Sequence, residues 1–411
     1  RKYTRDNGHL VSKLKRGAGD KDTQEVFKLY YEFSMPISKV ANHQILAINR
    51  GENEGVLSGS IEADAEAIAR YLKFRLVGSK TGEAADVLVA AANDAYKRFI
   101  GPAIERELRK ELFERAAGDA IKVFGTNLYH LLMAAPLRGR VVLGFDPGIR
   151  TGSKLAVVDE NGKFLEKAVI YPHRAAKYDP KGAKETIIKL VKQYGVALVA
   201  IGNGTASRES QTFIADIIKS DLPDLQYVVV NESGASVYSA SDVAREEFPD
   251  LQVEQRSAIS IARRLQDPMA ELIKIDPQAV GVGQYQHDLP TKELDAELDA
   301  VLETAVNQVG VNLNTASPQL LTHIAGLTKT TAANIVTYRD ENGQFTSRAQ
   351  LKKVPKLGPK AFEQAAGFLR LPDAKNALDN TDIHPESYKI AEVLLKEAGV
   401  TTPGAEAGQA L

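Results

Sequence analysis

Cysteine is absent from all 411 residues. That excludes disulfides and thiolate-held metals, and it points to a reducing compartment. No apolar run approaches the roughly 20 residues a bilayer-spanning helix needs, so a cytoplasmic protein without a membrane partner is expected. The seven histidines show no metal-ligand spacing, and neither a nucleophile elbow nor a Walker loop occurs. Gly202-Asn203-Gly204 is too short for a nucleotide loop. An initiating Met is missing too. The chain opens at Arg1 and closes on TTPGAEAGQAL, so both ends read as cut from a longer protein. What is present is ordinary for a globular protein: 44% hydrophobic residues, 26% charged, and a formal net charge of -1. The length is enough for about two to four domains, each with its own core.

Within this unremarkable composition one short unit occurs twice, thirty positions apart. It reads LTHIAGLTKTTAANIV from Leu321 and LKKVPKLGPKAFEQAA from Leu351. Leu321 aligns with Leu351, Ile324 with Val354, and Leu327 with Leu357. Each copy has a short apolar helix end, a tight turn and an Ala-rich second helix, the plan of a helix-hairpin-helix. The turn amides of such a unit face phosphate, which favours nucleic acid with little sequence preference. Two glycines spaced two apart are expected in the turn, yet the first copy keeps only Gly326, with Thr328 at the second position. The second copy has Lys356 and keeps only Gly358. Two αα-hairpins that merely pack together would share this pattern. Charge argues for phosphate binding: between Asn312 and Leu371, Lys329, Arg339, Arg348, Lys352, Lys353, Lys356, Lys360 and Arg370 face only Asp340, Glu341 and Glu363.

Upstream, residues 1–137 read as helical, with three- and four-residue apolar spacing in Ile61–Phe74 and Glu83–Phe99. Gly101-Pro102 is expected to break this pattern before a new helix, supported by Glu105–Arg109 and Glu111–Arg115 pairs. VLSGSI near Ile61 suggests one short extended stretch. Residues 138–275 change character. RVVLGFD is a buried strand ending at Asp146, Ser153–Val158 is a second, and Asp159-Glu160-Asn161-Gly162 turns the chain into a third at Lys163–Tyr171. A helix near Ala183–Tyr194, the strand VALVAIG, a helix from Ser207 to Lys219 and the strand QYVVVN follow. Three antiparallel strands, then alternating helix and parallel strand, is the ribonuclease-H-like order. Residues 276–311 hold a connecting helix with an acidic face from Glu293 to Glu303, 312–372 the hairpin pair, and 373–411 a last helix and a linker. The fold class is therefore multi-domain and mainly α, with one α/β ribonuclease-H-like domain and a helix-hairpin-helix pair.

Asp146 is the sharpest candidate for chemistry. A carboxylate at the end of a buried first strand can hold a divalent metal that activates water against a phosphodiester, although an Asx-turn uses the same residue. Glu232 follows the last strand and could face it. Asp267 and Glu271, four apart on a helix, could close the site, but Asp267-Pro268 also reads as an N-cap with Pro at the first helical position. Asn203 ends a strand where a metal nuclease needs a carboxylate, and a neutral amide is a poorer magnesium ligand.

Together the segments ILAINRGE (Ile45–Glu52), LGFDPGIRTG (Leu143–Gly152), AIGNGTASRES (Ala200–Ser210), VNESGASVYSAS (Val230–Ser241), ISIARRLQDP (Ile259–Pro268), KIDPQAVGVGQYQHD (Lys274–Asp288) and NLNTAS (Asn312–Ser317) resemble the Tex family of bacterial transcription accessory proteins. The resemblance implies a helical N-terminal region, a YqgF/RuvC-type ribonuclease-H-like domain and tandem helix-hairpin-helices. Family members add a C-terminal OB-fold RNA-binding barrel, not found in this chain. Carried over, the resolvase-like acidic site falls on Asp146, with Glu232 and Asp267 as partners. Resolvases place two closely spaced acids on the last helix and a carboxylate on the fourth strand; here stand Asp267/Glu271 and Asn203, so the site is expected to be degenerate.

The leading expectation is a transcription scaffold that binds RNA or DNA through Gly326, Lys329, Lys352, Lys353, Lys356, Gly358 and Lys360, contacts the transcription machinery, and needs no cofactor to do so. The alternative is a magnesium- or manganese-dependent nuclease using Asp146, Glu232 and Asp267. An actin-like ATPase ranks last, because it needs two copies of the fold and one is found.

Overall fold

The computed structural model describes residues 1–137, 139–174, 177–280, 283–372 and 374–400. The chain divides into two compact units, one of residues 1–124 and 283–297, the other of 125–282 and 298–411. The Thr401–Leu411 stretch read as a linker lies outside the described residues.

The first unit holds α1 (Lys2–Asn7), β1 (His9–Leu14), β2 (Glu32–Pro36), α2 (Asn42–Asn53), β3 (Leu57–Glu62), α3 (Ala65–Val77), α4 (Glu83–Ala95) and the first three-quarters of α5 (Gly101–Leu132). The expected all-helical region is corrected here, because β2-β1-β3 form an antiparallel sheet. Only β3 was signalled by pattern. The Gly101-Pro102 break is corrected as well. Residues Tyr96–Ile100 form a π-turn, and Gly101 N–H reaches back to Tyr96 O. That wider spacing carries the helix past a proline that has no N–H to offer. The charges on α5 have tertiary partners. Arg109 binds Glu52 and Asn49 of α2, Glu111 binds Arg1 and Arg5, and Arg115 donates to Val40 O.

In the second unit, β4 (Val142–Asp146), β5 (Ser153–Val158), β6 (Phe164–Ile170), β7 (Leu198–Gly202) and β8 (Gln226–Val230) form one sheet in the order β6-β5-β4-β7-β8. The β4, β5 and β6 strands are an antiparallel meander, and β7 and β8 join in parallel. This is the expected ribonuclease-H-like topology. Strand alternation sorts the core onto two faces. Leu143 and Phe145 pack with residues of α6 (Pro180–Tyr194) and α7 (Ser207–Ser220), among them Ile187 and Ile214. Val142 packs on the opposite face with Ala258, Ile259 and Ala262. Those residues belong to α10 (Val253–Gln266), reached through α8 (Ala235–Ala240) and α9 (Asp242–Glu247) and followed by α11 (Pro268–Leu272). Asp146, four residues after Val142, points to the same face as α10.

The long α12 (Thr291–Val309) leads to β9 (Val311–Asn312), which pairs in parallel with β10 (Leu369–Arg370). Between them lie α13 (Pro318–Leu321), α14 (Lys329–Asn342), a 3₁₀ turn at Arg348–Lys353, and α15 (Pro359–Ala365). The last helix, α16, runs Tyr388–Glu397.

Candidate nucleic-acid interface and a carboxylate cleft

The repeated apolar trio works as one device. Leu321, Ile324 and Leu327 are buried, and so are Leu351, Val354 and Leu357. The turn between helices is the same in both copies: Leu327 N–H donates to Ile324 O at 3.0 Å, and Leu357 N–H to Val354 O at 3.2 Å. The first turn position needs the left-handed backbone, φ +83° at Gly326 and φ +63° at Lys356. The expected second glycine is not required. Thr328 and Gly358 are N-caps in the extended region, where any residue fits, and the Thr328 hydroxyl accepts from Thr331 N–H. The copies grip each other. A side chain at Gly326 would lie 2.6 Å from Gln364 Cβ of the second copy. Reciprocally, Asn334 of α14 donates to Pro355 O in the second turn at 2.8 Å.

The cations divide by type. Arg348 is 1% exposed and donates to the carbonyls of Leu369, Leu378 and Ile383 and to the Tyr388 hydroxyl. Arg339 holds Leu313 O and Ala316 O, and Arg370 holds Gly367 O and Thr381 O. These three belong to the frame, which corrects their place in the surface-charge argument. Lys329, Lys352, Lys353, Lys356 and Lys360 are all exposed, and among the described residues none of the five has an acid within ion-pair distance. Lys352 lies over the Phe362 ring at 4.8 Å.

At the far end of β4 a second site forms. Burial pushes the Asp146 carboxyl above its ordinary value; a hydrogen bond with Ser257 and the Lys154 charge pull it down, and Glu254 pushes it up again. Glu232 does face Asp146. It is pushed up by burial and then by the Asp146 charge, against a hydrogen bond from Gly204 N–H and the pull of Arg264. Its Oε2 is buried without a hydrogen-bond partner. An added Cβ at 202 or 204 would come within 2.0 or 1.7 Å of the Glu232 carboxylate oxygens, so a side chain at either position would push that carboxylate from its place. Asn203 accepts from Glu232 N–H at 3.1 Å.

Asp267 does not join them. Helix α10 runs antiparallel to β4: Ser257 near its start reaches Asp146, while Gln266 at its end donates to Arg140 O, before the strand begins. Asp267 caps α11 by accepting from Ala270 N–H, about 20 Å along the helix from Glu254 at 1.5 Å per residue. Glu271 is buried and pairs with Lys274 at 2.9 Å. The helix residues beside Asp146 are instead Glu254 and Ser257, which sequence reasoning missed. Their i,i+3 spacing was available, and so was the rule that a helix folded back on a strand brings its start to the strand's end.

A divalent-metal pair does not fit these residues. Such a centre needs several converging carboxylates, and among the described residues no group of three or more His, Asp or Glu is arranged to hold a metal. One position offers an amide, Asn203, already engaged by Glu232, and another a hydroxyl, Ser257. The ammonium of Lys154 stands beside the acids.

Comparison with known proteins agrees with this architecture. Residues 1–124 match the Tex central region-like family and residues 140–266 the Tex protein YqgF-like domain. A helix-hairpin-helix motif matches 306–370, and an HHH domain matches 376–410, the stretch read from sequence as a helix and linker. Relatives include the uncharacterised YdcI of Bacillus subtilis, 52% identical over 98% of this chain and 56% of that protein. The transcriptional accessory protein Tex of Neisseria gonorrhoeae is 46% identical over 93% and 51%. The human S1 RNA-binding domain-containing protein 1 is 38% identical over 95% and 45%. The chain thus spans about half the length of the curated relatives it matches. No helix among the described residues is long and apolar enough to cross a membrane. With two Tex-specific domains covering more than half of its length and the sheet and hairpins those domains imply, this chain belongs to the Tex family.

Proposed function

We propose that this chain is the nucleic-acid-binding body of a transcription accessory protein, gripping the phosphate backbone of RNA or DNA chiefly through the second hairpin turn. The observation that carries the reading is the separation of cations. Every arginine of the hairpin pair is spent on internal carbonyls, while Lys352, Lys353, Lys356 and Lys360 stand exposed around one turn and Lys329 around the other. Lysines and turn amides meet phosphates rather than base edges, so binding is largely independent of sequence and needs no metal. The printed names of two relatives, a transcriptional accessory protein and an S1 RNA-binding domain-containing protein, support the same direction and make the transcription machinery the expected protein partner. The ribonuclease-H-like domain serves as scaffold.

The test is charge reversal, K352E/K353E/K356E, with binding to single-stranded RNA and duplex DNA measured by anisotropy across a salt series. Affinity is expected to fall at least tenfold, and the log–log salt slope to become shallower by about one unit per lysine. Unchanged affinity and slope would remove the hairpin from the interface. Metal-dependent cleavage of a branched or single-stranded substrate, abolished by Asp146→Asn, would establish the nuclease alternative with magnesium or manganese as its cofactor.

A further inference from the structure

Lys154 stands directly across the sheet from Asp146, its partner in the antiparallel β4–β5 register. A lysine in that place is conspicuous, because its side chain is only 10% exposed and buried ammonium groups are costly unless paired. Its surroundings explain how it is held. Nζ donates to Gly152 O at 2.9 Å and to the Thr151 hydroxyl. It lies 3.4 Å from Glu254 Oε2 on the first turn of α10, and 3.8 Å from where a Cβ on Gly148 would sit, two residues beyond Asp146. The ammonium therefore rests between the acid that ends the first strand and the acid that opens the last helix of this sheet. An ion bridging those two elements would occupy this same space.

We infer that Lys154 is the resident cation of the cleft: its ammonium ties the β4 end to α10 in place of a divalent metal and keeps such an ion out. The chemistry is plain electrostatics. A +2 ion entering beside Asp146 would meet a fixed positive charge a few ångströms away, shielded little by solvent. Glu254 already has its counter-ion, built into the chain at 3.4 Å, and the same charge acts on Asp146 across the strand pair. The inference rests on the reading of this domain as a scaffold. Its readout is metal binding rather than cleavage, so it can fail while the protein still cleaves nothing.

The experiment titrates Mn²⁺ into the whole chain at low ionic strength and follows free ion by electron paramagnetic resonance. In the wild-type protein, Asp146→Asn is expected to leave Mn²⁺ binding unchanged. K154M keeps the aliphatic stem and removes the charge; it should bind Mn²⁺ at least tenfold more tightly than wild type, and K154M/D146N should lose that gain. Wild-type Mn²⁺ binding that disappears in Asp146→Asn overturns the inference. So does a K154M variant, folded by circular dichroism, that binds no more Mn²⁺ than wild type. If K154M does not fold, K154Q replaces it, and the wild-type comparison decides by itself.

Discussion

A lysine in left-handed backbone is the residue on which the interface turns. An L-residue pays roughly 1–2 kcal/mol for that conformation, and Lys356 adopts it where the first copy has Gly326. Glycine would be easier, even after about 0.5–1 kcal/mol of extra chain entropy is lost on ordering it. We expect K356G to be as stable as wild type or more stable by up to about 1 kcal/mol in urea denaturation, while its salt slope for nucleic acid becomes shallower by about one unit. Lower stability with unchanged binding would show that Lys356 serves the frame instead. The sequence made this residue look like a defect, because side-chain identity does not announce φ. The apolar register was legible for the opposite reason: Leu, Ile and Val at fixed spacing have few ways to be buried together. Asp146 and Glu232 were legible as strand-end acids. Glu254 and Ser257 were not, since one is exposed and the other neutral, and only the direction of α10 brings them to the cleft.

At the level of elements, patterning served where both faces of a segment are covered. Strands β4, β5 and β7 are almost wholly buried and could hardly be anything else. Strands β1 and β2 were missed because they are short and mix apolar with polar residues without a sustained pattern; β2 has no buried residue and runs along one edge of its sheet. The hairpin pair is closed by an element that sequence reasoning counted as surface charge. Arg348 gathers carbonyls from β10, from Leu378 and from Ile383, and shares Tyr388 with Asp379. Burial and the Asp379 hydrogen bond push the Tyr388 hydroxyl up to about 12. R348A would leave several buried carbonyls and the Tyr388 hydroxyl without their donor, at a cost of about 3–5 kcal/mol. Hydrogen exchange should localise the loss to residues 369–388, with the β4–β8 sheet unaffected; protection kept in that segment would refute the assignment.

For the molecule as a whole, the carboxylate cleft sets a sign for the dependence of stability on pH. Asp146 and Glu232 both hold their protons more tightly folded than unfolded. Their contribution is therefore most favourable below the ordinary carboxylate range near pH 4 and is lost as pH rises through the raised folded values. E232Q cannot ionise, so it should be more stable than wild type at pH 7.5, and the advantage should vanish near pH 4. An equal deficit at both pH values would show that the Glu232 carboxylate is needed for its hydrogen bond with Gly204. The fold class and the Tex resemblance could be read from sequence because many segments agreed at once; the chemistry of the cleft could not, because it depends on which ends of elements meet. The mutual grip of the hairpins carries a last consequence. Gly326 abuts Gln364 and Asn334 secures Pro355, so each copy supplies a wall of the other's turn. The smallest piece that can be duplicated, lost or transplanted is the pair, and backbone contacts of this kind must be gained two turns at a time.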